Sequence, residues 1–386
     1  MNNPFFKLVC SAAAVVAMSS QAFAQTKPAA KDSCVSPWQQ GIDEFPAQPA
    51  AAPNPMAAIA TKGWDVSFDA SFIYWHADQE YMDLGKTDTT AGLSSTANTT
   101  VAFTDNSYNP GFKVGLGFGT GYDGWVGNVE YTWLHQTDST SIGAPTADTA
   151  AGATAAWTNN DWYTGTTTAP ASAIKLQAGS INANWKLQID QLDANLSRPY
   201  YQGRDLTILP YAGMRGLWIR QRNDINMVYL ATPTAPAAVS QNLSQSWAVG
   251  PDMGLNAHWL LGWGFRFEGF GGGSILYTRY TKVAHSEANS SPGVAFGTAG
   301  VTSTGSITNY NCLRPTLEAG VGLGWGTYFS NLGYAFDLMA RYDFMVLFQQ
   351  NMMRYNTRLV NVLSTSTNPI GDLHLHGLTL TARMDF

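Results

Sequence analysis

Acidic and basic residues recur in this chain at alternate positions inside apolar or glycine-rich runs. Asp65 and Asp69 alternate with Trp64, Val66, Phe68 and Ala70. Lys113 lies between Phe112 and Val114, and Glu130 between Val129 and Tyr131. The same rhythm carries Arg215, Asp252, Arg266, Glu268, Glu318, Asp337, Arg341, Asp343 and Arg383. Charges on one face of a strand whose other face is apolar do electrostatic rather than covalent work: they hold water and bias ions in an aqueous passage. The same groups can instead pair with one another and fill a narrow interior. Arg215 is the one expected to matter most, paired with a neighbouring carboxylate rather than touching a solute.

Two other sets of residues carry weaker chemistry. His374 and His376 share a strand face, and such a pair can hold a metal. No third ligand lies nearby in sequence, so ring packing is the expected use, with no metal and no cofactor. His76, Asp78, Asp83 and His135 lie where strands meet long connections, which gives the raw materials of a hydrolytic site at a rim. No spacing there marks a nucleophile with a base, and no enzyme is expected. The runs Gly115-x-Gly117-x-Gly119 and Gly271-Gly272-Gly273 sit within strands, not before a helix, so they are not phosphate loops. They are expected to permit curvature or close approach.

The elements that must position the charges are strands. Trp64 to Tyr74 alternates apolar and polar residues, as do Phe112–Phe118, Trp125–Trp133, Trp247–Trp259, Leu317–Trp325 and Tyr334–Val346. The chain closes on the same pattern, with Leu378, Leu380, Ala382, Met384 and Phe386 on one face. Strands with an outward apolar face, girdles of aromatic residues and a terminal Phe predict a barrel in an outer membrane, with Phe386 closing it. A secreted β-sandwich would show shorter strands. No run approaches the ~20 apolar residues of a spanning helix.

Short connections at Gly121–Gly124, Tyr200–Asp205, Leu260–Gly264 and Gly326–Gly333 alternate with long ones at Ala77–Asn109, Gln136–Ala171, Ala231–Ser244, Thr281–Asn309 and Gln349–Gly371. That rhythm predicts an all-β, membrane-spanning, antiparallel up-and-down barrel of about ten strands. An even number up to roughly 16 is compatible with it. Both termini then lie at the short-turn, periplasmic end. Parity slips near Asp190, and Pro210 sits in mid-strand, which predicts a bulge.

Lys7, the apolar run Leu8 to Ala17 and Ala22-Phe23-Ala24 read as a signal peptide cleaved before Gln25. The chain thus divides into a signal peptide over 1–24, a flexible Ala/Pro-rich periplasmic segment over 25–62, and a barrel over 63–386. Charged residues are only 12% and aromatics also 12%, as expected when one face of many strands meets lipid. The net charge of −6 excludes nucleic acid as a partner. After cleavage Cys34 and Cys312 remain, as a disulfide or as two thiols.

From Trp185-Lys186-Leu187-Gln188-Ile189-Asp190-Gln191-Leu192-Asp193, through Ser197-Arg198-Pro199-Tyr200-Tyr201, to Leu206–Ile219, the chain resembles the central motif of the Legionella-type major outer membrane proteins. These are pore-forming relatives of the chlamydial major outer membrane protein. The strand ending Phe72-Ile73-Tyr74-Trp75, the Arg341-Tyr342-Asp343 strand and the run from Gly371 to Phe386 are similar to the same family. The resemblance implies an abundant porin-like surface protein that passes small hydrophilic solutes or ions. A surface adhesin or structural envelope protein is the alternative. With two mature cysteines, a heavily crosslinked envelope is not expected. Expected partners are outer-membrane lipids, the barrel-assembly machinery, further copies of the chain, and a host surface reached through the loops.

Overall fold

A computed structural model describes residues 66–89, 100–120, 122–144, 155–158, 178–229, 236–289, 302–329, 334–353 and 370–386. The expected signal peptide, the Ala/Pro-rich segment, Cys34, Trp64 and Asp65 lie outside the described residues. In chain order the strands are β1 (Val66–Gln79), β2 (Asp83–Thr89), β3 (Val101–Phe103), β4 (Tyr108–Gly119), β5 (Val126–Ile142), β6 (Ala155–Thr158), β7 (Ala178–Ser197), β8 (Tyr201–Gln202), β9 (Leu206–Tyr229), β10 (Pro236–Gly262), β11 (Phe265–Asn289), β12 (Thr302–Ile307), β13 (Tyr310–Phe329), β14 (Tyr334–Leu347) and β15 (Leu373–Asp385).

The sheet runs β1-β4-β5-β7-β9-β10-β11-β13-β14-β15 and returns to β1, every pair antiparallel. This is a closed barrel of ten strands. Closure leaves no unpaired edge among them, which lets strands cross lipid with their backbone groups satisfied. β2, β3, β6 and β12 pair beyond the wall, at the end where the long connections lie. The first residue of β1 and the last of β15 lie at the opposite end, beside the Thr120–Trp125 turn and β14's start. Outer-membrane barrels keep short turns in the periplasm, so the long end is extracellular.

Outward residues form an apolar belt. Phe68, Phe72, Leu116, Met253, Leu317 and Leu380 are all exposed on the wall. The belt is bounded below by residues such as Trp259, Phe265 and Phe386, and above by Tyr74, Tyr108, Trp218, Trp247 and Tyr277. Tyr74 stacks on Tyr108 at 5.5 Å between centroids. These are the aromatic girdles at the two interfaces.

Two expectations fail here. The β5, β10 and β11 ladders continue far beyond the upper girdle, so Gln136–Ile142, Pro236–Ser244 and Thr281–Asn289 are paired strand rather than loop. Their Ser, Thr, Asn and Gln residues suit a ladder whose outer face meets water. And no bulge lies near Asp190: β7 pairs without a register shift from Ser180 to Ser197. Pro210 is carried in register opposite Leu255. What inverts near Asp190 is the environment. Trp185, Leu187 and Ile189 point inward and are buried, while Asp190 points outward at the girdle and Lys186 and Gln188 point outward above it.

Candidate functional site

The interior changes character along its axis. Inward positions in the periplasmic part of the wall are mostly polar. Those at the height of the upper girdle are largely apolar, and beyond it apolar residues such as Ile225 and Met227 mix with polar ones such as Asn223, Asn242 and His285.

In the polar zone, alternation places one charge from most strands into the lumen. Each described residue named above as a lumen charge faces the interior. Asp69, Lys113, Glu130, Arg215 and Glu268 border a chamber of about 250 Å³, as do Glu318, Asp337, Arg341 and Arg383. Asp252, Arg266 and Asp343 are buried beside it.

Three arginine clusters and one lysine pair organise these charges. Arg215 on β9 is 3% exposed; its Nε donates to Asp193 Oδ1 at 2.7 Å and its Nη2 to Glu318 Oε1 at 2.8 Å. Asp252 Oδ2 stands 3.5 Å from the same Nη2, and Tyr211 Oη donates to Glu318 at 3.1 Å. Arg266, fully buried on β11, forks onto Asp337, one arm at 2.6 Å, and also bonds Glu268. His258 Nδ1 lies 3.4 Å from Glu268. Arg341 forks onto both oxygens of Asp343, of which Oδ2 also accepts from Thr379 at 2.7 Å, and its guanidinium lies 4.3 Å from the centre of the Phe270 ring. Lys113 pairs with Glu130 at 3.3 Å and sits 5.0 Å over the Trp75 ring. Buried charges must be paired in this way, and carboxylates outnumber cations here.

Inward glycines make this crowding fit. A Cβ on Gly115 would strike the Asp69 carboxylate, and one on Gly324 the Arg266 guanidinium. The glycine runs thus leave room for side chains of the adjacent strand.

Above the chamber the lumen is crossed by an apolar septum. Ile73, Trp75, Leu134, Trp185, Leu187 and Ile189 meet Leu217, Ile219, Leu276, Met345, Leu347 and Leu375, none more than 6% exposed. Met82, following β1, and Met353, following β14, close it from the extracellular side. Gln350 and Asn351 anchor that second segment by accepting from Tyr280 Oη at 3.0 Å and donating to Glu80 O at 2.6 Å. The sequence reading missed the septum and Asp193. The signal for both was in β7, where apolar residues share the parity of Gln191 and Asp193.

The other candidates are placed away from this lumen. His376 points outward, accepts or donates to Tyr342 Oη at 2.7 Å, and packs 5.1 Å from His76 and 5.8 Å from Tyr108. His374 lies 3.6 Å from Glu80, so the two histidines do not converge on one metal. Glu80, Asp372 and His374 do approach one another at the extracellular rim. Two of these carboxylates are engaged: Glu80 accepts from Asp372 N and Asp372 from Gln349 N. The His135 ring lies tilted against Trp133 at 4.3 Å and faces Asp190 at 3.5 Å, while Asp78 accepts from Asn106. These contacts do not bring His76, Asp78 and His135 together. Among the described residues Cys312 has no disulfide partner, and Cys34 lies outside them.

Among solved structures the fold is similar to the outer membrane protease OmpT from Escherichia coli, at 9% identity and TM-score 0.37, covering 85% of this chain and 98% of that one. It is also similar to the Pseudomonas putida toluene transporter TodX, at 9% identity and TM-score 0.34, covering 87% and 92%. A Pseudomonas aeruginosa FadL homologue matches at 9% identity and TM-score 0.27, covering 89% and 94%. No curated protein matches the sequence. The family model described as Legionella pneumophila major outer membrane protein precursor matches residues 57–386. With the closed barrel, the apolar belt and that match over nearly the whole chain, the protein belongs to this family of outer membrane proteins.

Proposed function

We propose that the protein is a porin-like outer-membrane channel for small hydrophilic solutes or ions, held closed in this conformation by the apolar septum. The observation that supports this reading is the charged chamber. Paired carboxylates and guanidinium groups, a lining that carries excess acid, and a cavity of about 250 Å³ suit a hydrated ion, not an apolar ligand. An apolar constriction in series with such a chamber excludes water until it is displaced. Met82 and Met353 come from connections rather than from the wall, so they are the parts free to move without breaking the sheet.

The septum itself favours a second reading, a structural or adhesive surface protein. Planar-bilayer recording of the refolded protein separates the two. Voltage-dependent, discrete openings are expected of the channel. A silent wild type together with silent septum variants would leave the structural role.

A further inference from the structure

We propose that the outward face of β7, β9 and β11, just above the upper aromatic girdle, binds the phosphate groups of an outer-leaflet glycolipid. This holds whether or not the lumen conducts. Trp218, Trp247 and Tyr277 mark the interface on three adjoining strands. The next outward positions up the wall carry Lys186, Arg220, Arg222 and Lys282, all exposed.

The ladder brings these residues into one patch. Lys186 stands directly opposite Arg222, and Gln245 is the cross-strand neighbour of both Arg220 and Lys282. Like charges placed opposite one another destabilise a sheet unless an anion offsets them. The protein supplies little offset. Arg222 bonds Asp224 at 2.7 Å, and the nearby Asp190 accepts from Tyr131 Oη at 2.6 Å. Lys186, Arg220 and Lys282 have no carboxylate partner among the described residues.

The location selects the anion. A strand crosses the membrane in roughly 9–11 residues. Trp218, Trp247 and Tyr277 each stand twelve positions along the strand from Leu206, Trp259 and Phe265 at the lower boundary, just past that length. Arg220, Arg222 and Lys282 therefore stand at the height of the head groups. The seam on the other side of the barrel carries exposed Asp78 and Glu80. The chain is net acidic, so a basic patch confined to one sector reflects a local anion rather than bulk charge.

The test uses the full mature chain in detergent micelles. Tryptophan fluorescence follows titration with bisphosphorylated lipid A and with its dephosphorylated analogue. At about one tenfold step or slightly less per basic residue, K186Q/R220Q/K282Q should bind the phosphorylated lipid on the order of a hundredfold more weakly. R204Q, which removes an exposed charge at the periplasmic end, should bind like the wild type. K186R should restore what K186Q alone loses, which separates charge loss from misfolding. Equal binding of the two lipids by the wild type, unchanged binding by the triple variant, or an equal loss in R204Q would overturn the proposal. So would complete displacement by inorganic phosphate at the lipid's own concentration, since the site would then hold a free anion.

Discussion

Arg215 and Glu318 lie on strands that do not touch in the wall, β9 and β13, yet they meet inside the barrel at 2.8 Å. Asp193 and Asp252 complete the set around the same guanidinium. One side chain therefore ties β7, β9, β10 and β13 together through the lumen. Arg215→Met removes the cation and leaves three carboxylates facing each other with little solvent. Breaking a buried pair from one side costs about 3–5 kcal/mol. The variant should unfold at lower urea in detergent micelles. Arg215→Lys should recover only part of the loss, because an ammonium cannot fork between Asp193 and Glu318. An unchanged midpoint for Arg215→Met would show that the cluster contributes nothing net.

The septum should be the barrier to conduction. Ile219 on β9 and Leu375 on β15 enter it from different sectors of the wall, at 5% and 2% exposure. Serine at both positions shortens the side chains and adds groups that hold water. Each large-to-small change costs roughly 2–5 kcal/mol, so the pair is best made in an otherwise unmodified chain. Single-channel recording of Ile219→Ser/Leu375→Ser should show a higher open probability than the wild type. Equal open probability would move the barrier elsewhere.

Trp185, Leu187 and Ile189 show how far the sequence could be read and where it stopped. On β1, β4 and β15 the rule that the apolar face meets lipid gives the correct orientation, because nearly all of each strand lies within the membrane. β7 continues above it. There the outer face lies above the apolar belt and carries Lys186 and Gln188, while the inner face meets the septum. The apolar parity changes sides with no change in the backbone, and a one-dimensional pattern presents this as a slipped register. The lumen charges were legible because each sits between outward apolar residues. Their partners were not: Asp193 reaches Arg215 through lateral pairing, but Glu318 reaches it only through closure of the barrel, which no local spacing encodes.

Selectivity should follow the excess of lumen carboxylates over cations. Glu130 and Glu318 border the chamber and retain some solvent contact, at 27% and 10% of their side-chain surfaces. Under a salt gradient the reversal potential should report a weak cation preference, larger at low ionic strength, where screening is less. Glu130→Gln should shift it toward neutrality. A clear anion preference in the wild type would contradict the assignment of the chamber as the filter.

Phe386 should matter for assembly and not for lumen chemistry. Its ring is outward and partly exposed, meeting Tyr334 edge-on at 6.0 Å, and its N–H donates to Val66 O at 2.9 Å. Val66 opens β1, so that bond fastens the last residue described to the first strand of the closed sheet. The β1–β15 ladder runs from Ser67↔Asp385 to Gln79↔Leu373 and survives removal of one residue beyond its end. Deleting Phe386 therefore takes away one backbone bond, one aromatic contact and the girdle residue at the periplasmic end of the seam, while Arg383 and Asp385 keep their 2.7 Å pair inside. Heat-modifiable mobility on cold gels should reveal less folded protein in the outer membrane for the deletion. The fraction that does fold should conduct and select ions as the wild type does. A Phe386→Tyr variant, which keeps a ring at the interface, should assemble at near wild-type yield. If the deletion folds as well as the wild type, the closing contact at the seam is made by the β1–β15 ladder alone.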